Sequence, residues 1–395
     1  MKTVKLKDIS INNRGYYGIG ASAVDYDENK FTYLRITDIN DDGSLNKNGL
    51  MSVDDEKSDQ YLLEKNDIVF ARTGASTGRN YFYDGEINNM VYAGFLIKFS
   101  LNPELVNPKF VKYYCLSQKY KDWISSSLTG STRPNINEKQ LSEMPIELPD
   151  RFYQDKVVEI LDSIAQKIQL NNETNNNLHD LAEQQFNEIY FKGVPKKLDE
   201  LLFNISTGSR PKGGAQESGI PSIGAEKIEK FGVYDYSSEK YISEDYYDKL
   251  KNGKLKIGDV LLYKDGAYTG KVSMCLNEFP HKKAAVNEHV FILNTDNNWA
   301  QNYLYFTLYN EDNKEMLHRL ASSKAAQPGL NQVELKSIEV NICEKEDILN
   351  FENNVKPIME KIALNSLENK KLSELRDTLL PKLMNGEIDL ENIEI

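Results

Sequence analysis

The chain has 395 residues, 40% of them hydrophobic and 27% charged, which is long for one compact domain and ordinary for a globular protein. No apolar run approaches the ~18 residues of a membrane span. No apolar segment follows the N-terminal lysines, and Cys115, Cys275 and Cys343 are too scattered for a disulfide framework or a zinc cluster, so a reducing cytoplasm is expected.

The net charge of -12 disfavours simple electrostatic capture of nucleic acid, yet residues 151–192 and 344–395 together hold -8 of it. The other 301 residues, which carry the candidate reading surfaces, hold only -4.

Residues 1–150 are dense in short β-type runs bounded by Gly, Asn and Asp, such as Ile68-Val69-Phe70 and Phe95-Leu96-Ile97. A helix is predicted over 151–190, with a seam at Val157, Leu161, Ile164, Ile168, Asn171, Asn175, Leu178 and Leu181. Steps of three and four residues predict a coiled-coil seam. Residues 193–343 return to β-type runs, including Val260-Leu261-Leu262 and Val290-Phe291-Ile292. A second helix is predicted over 345–383, with its seam at Val355, Ile358, Ile362, Asn365, Asn369, Leu372, Leu375 and Leu379. Pro357 is expected to kink this helix or mark its first turn, and Pro381 to end its regular part.

The two halves repeat with a period of about 190 residues. "NDIVFARTGASTGR" at 66–79 aligns with "GDVLLYKDGAYTGK" at 258–271, pairing Asp67 with Asp259, Gly74 with Gly266, Thr77 with Thr269 and Gly78 with Gly270. "KLKDI" at 5–9 matches "KLDEL" at 197–201, and "TYLRITDI" at 32–39 more faintly matches "PSIGAEKI" at 221–228. "STRPNINEKQLSEMPIEL" at 131–148 matches "AAQPGLNQVELKSIEVNI" at 325–342. Four blocks in one order imply duplication. At an offset of 194 the repeat places Asn171 opposite Asn369 and Asn175 opposite Asn365 if the helices run antiparallel. The alternative leaves these asparagines facing solvent or a partner protein.

Catalytic motifs are missing. There is no Asn-Pro-Pro-aromatic or Asp-Pro-Pro-aromatic tetrapeptide of amino-methyltransferases. "GAYTGKV" at 266–272 is one residue short between its glycines and lacks Ser or Thr after Lys271, so it is no phosphate loop. Histidines 179, 281, 289 and 318 have no metal-ligand spacing.

What remains is a glycine loop present twice, flanked by groups that suit DNA. The first copy offers Arg72, Thr73, Gly74, Ser76, Thr77 and Arg79; the second offers Lys264, Gly266, Tyr268, Thr269 and Lys271. Beside them lie Ser131, Thr132, Arg133, Asn135 and Asn137, answered by Ser323, Lys324, Gln327 and Asn331. Arg, Asn and Gln read base edges, and hydroxyls suit phosphates. A third patch, Ser209, Arg210 and Lys212, is matched with Arg14, Tyr16 and Tyr17. The bland alternative is a β-hairpin whose glycines serve only the turn.

With the repeat, the long helices and these loops in hand, the chain resembles the specificity subunit of type I restriction–modification systems. The resemblance is carried by the two glycine motifs, the Pro-x-x-Asn pieces at 134–137 and 328–331, and the ending "LRDTLLPKLMNGEI" at 375–388. It implies an α+β chain with two β-rich target-recognition domains, 1–150 and 193–343, in pseudo-twofold repeat. Two long antiparallel coiled-coil helices, at 151–192 and within 344–395, would separate them. It also implies recognition of a bipartite site in double-stranded DNA, with two methyltransferase subunits and restriction subunits as partners. S-adenosylmethionine, ATP and Mg2+ would belong to those partners, and this chain would not be an enzyme by itself. The first repeat departs from the family in lacking the Gly-Ser-Arg-Pro of 208–211. Where the family often has Pro-Trp, Thr32-Tyr33 and Pro221-Ser222 stand here. Two other readings stay open: the specificity chain of a related system outside type I, and a scaffold that binds protein rather than DNA.

Overall fold

A computed structural model describes residues 1–47, 49–128, 134–266, 268–323 and 329–390. The chain divides into two compact units, Met1–Ala165 with Glu374–Ile395, and Gln166–Ser373. Their boundaries fall inside both long helices, so each unit includes a stretch of each. No helix among the described residues is long and apolar enough to cross a membrane.

The first unit contains strands β1 (Lys2–Lys5), β2 (Tyr16–Tyr17), β3 (Ala23–Val24), β4 (Phe31–Leu34) and β5 (Met51–Val53). They are followed by β6 (Asp67–Ala71), β7 (Asn80–Tyr83), β8 (Met90–Tyr92), β9 (Leu96–Ser100) and β10 (Pro145–Leu148). Helices α1 (Pro108–Tyr114), α2 (Gln118–Ser127) and α3 (Glu138–Ser142) precede the long helix α4 (Arg151–Tyr190). One antiparallel sheet has the order β2-β9-β6-β7, and another has the order β3-β5-β4-β8, with β4 and β8 parallel.

The second unit contains β11 (Val194–Lys197), β12 (Asn204–Thr207), β13 (Ile220–Ile223), β14 (Tyr241–Ile242) and β15 (Val260–Tyr263). Then come β16 (Val272–Met274), β17 (Ala285–Val286), β18 (Val290–Asn294) and β19 (Glu339–Ile342). Its helices are α5 (Glu244–Lys249), α6 (Gln301–Tyr309), α7 (Glu311–Ser322), α8 (Gln332–Ser337) and the long α9 (Lys345–Met384). The sheet order β12-β18-β15-β16 repeats β2-β9-β6-β7. The parallel pair β13 and β17 repeats β4 and β8, and β11 with β19 repeats β1 with β10. One strand order in both units is what a duplicated sequence requires. The units differ at the sheet edge, where β13 has one neighbour, β14, in place of β5 and β3.

Strand periodicity explains the continuous apolar runs. Side chains alternate faces along a strand, so Ile68 and Phe70 of β6 enter one core with Phe99, Phe110, Val157 and Leu161. Val69 and Ala71 enter a second core with Leu34 and Tyr92 of the other sheet. In the second unit, Val260 and Leu262 pack with Phe186, Phe306 and Met359 from helices, while Leu261 packs with Ile223 and Val286. A strand buried on both faces needs no polar alternation.

Both long helices have 40 residues, about 60 Å at 1.5 Å per residue. Val157, Leu161, Ile164, Asn171 and Asn175 are buried and Ile168 and Leu178 half-buried. On α9, Val355, Ile362 and Asn365 are buried, and Ile358, Asn369, Leu372 and Leu379 half-buried. The expected seam fails at Leu181 and at its repeat equivalent Leu375, both 46% exposed. From Leu178 the buried stripe steps by four to Ala182 and Phe186, following the 3.6-residue pitch onto the aromatic core around α6. On α9 likewise, Met359 is more deeply buried than Ile358. The helix also runs through Pro357 and past Pro381 to Met384, so neither proline marks an end; both side chains are exposed.

Within the second unit the asparagines pair crosswise. Asn171 Nδ2 donates to Asn369 Oδ1 at 2.8 Å, and Asn365 Nδ2 donates to Asn175 Oδ1 at 2.9 Å. This is the antiparallel arrangement the 194-residue offset predicts. Asn175 also donates to Ser366 Oγ at 3.1 Å, and Lys167 meets Glu368 at 3.1 Å. One turn on, His179 is buried against Phe306 and Tyr309, its Nε2 3.0 Å from the Tyr305 hydroxyl. Burial pushes its pKa down to about 3.

Asn175→Ala leaves the Asn365 amide unpaired and should destabilise the chain by about 1–3 kcal/mol in chemical denaturation. Replacing both Asn175 and Asn365 with leucine should cost far less, because no polar group is stranded.

The depressed pKa of His179 has a defined sign. Its stabilising contribution is fully present above the unfolded value near 6.5 and is lost as pH falls towards about 3. Glu352, raised to about 7 by burial, acts in the opposite sense between its ordinary range and neutrality. The contrast between wild type and His179→Gln isolates the histidine: the fall in Tm between pH 7 and pH 4 should be smaller in the variant.

Candidate nucleic-acid interface

The glycine loop is the connection of the β6–β7 hairpin in the first unit and of the β15–β16 hairpin in the second. Gly74 and Gly78 have φ of +73° and +90°, and Gly266 and Gly270 have φ of +124° and +101°. A Cβ on Gly78 would lie 2.7 Å from Ile124 of α2, whereas one on Gly74 meets open space. Gly78 therefore serves close packing, and Gly74 the turn alone.

The loop is docked on the segment before α3 by its backbone. Ile136 N donates to Arg72 O at 2.9 Å, and Gly74 N donates to Pro134 O at 3.1 Å. In the second unit Leu330 N donates to Lys264 O at 2.8 Å. Two candidate segments separated by about sixty residues thus meet in each repeat.

Several candidate side chains are already engaged. The Thr77 hydroxyl donates to Gly74 O at 2.7 Å, and that of Thr269 to Gly266 O at 2.8 Å. Asn137 and Asn331 are helix N-caps: their side-chain oxygens accept from Gln140 N and Glu334 N, each at 2.9 Å. Arg79 pairs with Asp41 at 2.6 Å, and Lys271 pairs with Glu229 and lies over the exposed Tyr268 ring. The Ser323 hydroxyl donates to Leu320 O at 2.8 Å, and Ser209 bonds the Tyr246 hydroxyl at 2.8 Å. Thr73 is half-buried and bridges to the exposed Asn135. Ser131, Thr132, Arg133, Lys324 and Gln327 lie outside the described residues.

Arg72 and Arg14 are differently placed. The Arg72 guanidinium lies 4.9 Å over the Tyr17 ring, and its Nε has no hydrogen-bond partner among the described residues. Arg14 is exposed, 4.5 Å over Tyr16. Stacking on an aromatic face holds a guanidinium in place without using its donors.

The third patch is corrected by strand register. Tyr17 pairs with Ile97 and Thr207 with Phe291, equivalent partners in the two sheets. Arg14, Tyr16 and Tyr17 therefore correspond to Asn204, Ser206 and Thr207, while Ser209 and Arg210 correspond to Ile19 and Gly20. Arg210 and Lys212 are exposed and, with Gln216 and Tyr246, line a shallow cleft. Arg210 is tied to the second glycine loop through residues the motifs did not single out. Arg210 Nε is 3.2 Å from Glu288, Glu288 is 3.5 Å from His289, His289 is 3.2 Å from Asp265, and Asp265 is 2.7 Å from Lys264. The equivalent of His289 in the first unit is Phe95, 60% exposed, whose carbonyl accepts from Arg72 N. Extending the 194-residue offset to Phe95 and His289 marks this position in the sequence.

Residues 1–180 match the family model of the type I restriction modification DNA specificity domain. The chain is similar to the specificity subunits of type I restriction–modification systems. Its relatives include the type I restriction enzyme HindI specificity subunit of Haemophilus influenzae, 23% identical over 82% of this chain and 87% of that one. The MjaIX specificity subunit of Methanocaldococcus jannaschii is 25% identical over 72% of this chain and 70% of its own length. The crystal structure of the type I S subunit from M. genitalium shares the fold, with a TM-score of 0.60 at 15% identity, covering 97% of this chain and 95% of that one. The family model stops before the second repeat, whose four-stranded sheet β12-β18-β15-β16 has the same order as β2-β9-β6-β7.

Gly78→Ala should destabilise the protein by about 1–3 kcal/mol from backbone strain, with the Ile124 clash in addition. Gly74→Ala should cost about 1 kcal/mol, since only the backbone conformation is opposed. Differential scanning calorimetry of the two variants checks the order.

Proposed function

We propose that each unit reads one half of a bipartite DNA target and that partner subunits methylate adenine or cleave where the chain directs them. The observation that carries this reading is one loop scaffold held by equivalent backbone bonds in both units, with different side chains on it. A common frame with divergent side chains suits two readers of two sequences.

Two methyltransferase subunits and the restriction subunits are the partners in this reading, and S-adenosylmethionine, ATP and Mg2+ belong to them. Paired exposure supports a twofold partner. Leu170 and its repeat equivalent Leu364 are 58% and 54% exposed, alongside the exposed Leu181 and Leu375. Apolar side chains repeated in this way suit two copies of one protein.

Swapping residues 1–150 for those of another specificity subunit should change one half-site and leave the other half-site and the gap intact. Methylome sequencing of a host expressing the hybrid with its methyltransferase reads this out, and a change in both half-sites rejects independent reading. Purified alone, the chain should neither methylate nor cleave DNA; activity free of partner protein rejects the division of labour.

A further inference from the structure

The two reading loops share a backbone but not a polarity. In the first unit the position after β6 carries Arg72, stacked on Tyr17, with Thr73 and Phe95 beside it. These neighbours offer no carboxylate. In the second unit the same three positions are Lys264, Asp265 and His289, and Glu288 joins them. A surface that only tracked phosphates gains nothing from two carboxylates, which repel the DNA backbone.

The network also cancels its own charge. Lys264 and Arg210 stand at its ends, and Asp265 and Glu288 lie between them on either side of His289. Glu288 meets both Arg210 and His289 through Oε1, and its Oε2 has no hydrogen-bond partner among the described residues. That oxygen is itself buried, while the side chain as a whole is 36% exposed. A carboxylate in its ionised form offers acceptors only.

We propose that Glu288, with Asp265 as its support, makes the second unit select cytosine, by accepting a hydrogen bond from the 4-amino group in the major groove. Carboxylates accept from that amino group, whereas the purine acceptors of guanine repel them. Arg72 in the first unit presents the opposite chemistry, donors suited to guanine. The inference rests on the DNA-reading function proposed for each unit and adds the base class read by one of them.

The test uses the chain co-expressed with its methyltransferase. Exchanging residues 193–343 first assigns one half-site to the second unit. Glu288→Gln and Asp265→Asn keep the size of each side chain and remove its charge. Each should reduce selectivity for one C·G pair of that half-site by about ten- to a hundred-fold, leaving the other half-site unchanged. Should a variant fail to fold, the wild-type complex decides: N4-methylcytosine at that position should slow methylation, and at other positions should not. An unchanged motif in both variants overturns the proposal. So does a second half-site without a C·G pair, or loss of methylation at every sequence by a complex that still assembles. Absence of any sequence-specific methylation by the wild-type complex rejects the DNA-reading function itself.

Discussion

In each unit one strand must be buried on both faces, and much else depends on that requirement. β6 sends Ile68 and Phe70 into a core shared with α4, and Val69 and Ala71 into a core shared with the other sheet. With both faces covered, its backbone continues only at the strand end, where Arg72–Arg79 emerge. The loop is therefore rooted in a strand that is buried along its whole length. The second unit repeats this with β15, whose Leu262 and Leu261 enter two different cores. A reading loop gains precision from such a root, because small movements of its base would misplace every side chain it carries.

The shared frame and the divergent side chains divide the labour. Backbone bonds from Ile136 and Leu330, the hydroxyls of Thr77 and Thr269, and the caps at Asn137 and Asn331 recur in both units. They are structural, and their recurrence made the repeat visible. Arg72 with Tyr17 and Phe95, against Lys264 with Asp265 and His289, is where the units part company. Duplication preserves the groups that shape the loop and frees those at its surface to differ.

The polar layer of α4 and α9 addresses register. An apolar seam of leucines and isoleucines tolerates sliding by a heptad, whereas a buried amide finds its partner in one alignment. Asn171 with Asn369 and Asn175 with Asn365 set that alignment in the second unit. Such a layer stabilises less than leucine and specifies more.

The sequence by itself determined the duplication, the strands of the glycine motif, the two long helices and the crosswise pairing of the asparagines. These depend on short-range periodicity and on one constant offset, both legible along a linear chain. Only the tertiary structure decided that the stripe leaves Leu178 for Ala182, because the aromatic surface around α6 that attracts it is built from distant residues. It alone showed that Asn137 and Asn331 cap helices, since an asparagine side chain serves a base edge or a helix end according to the backbone groups around it. The register of β2 and β12 likewise moved Arg14 away from Arg210, where faint similarity had joined them. And the chain from Lys264 through Asp265, His289 and Glu288 to Arg210 spans three loops, which no spacing along the sequence could bring together.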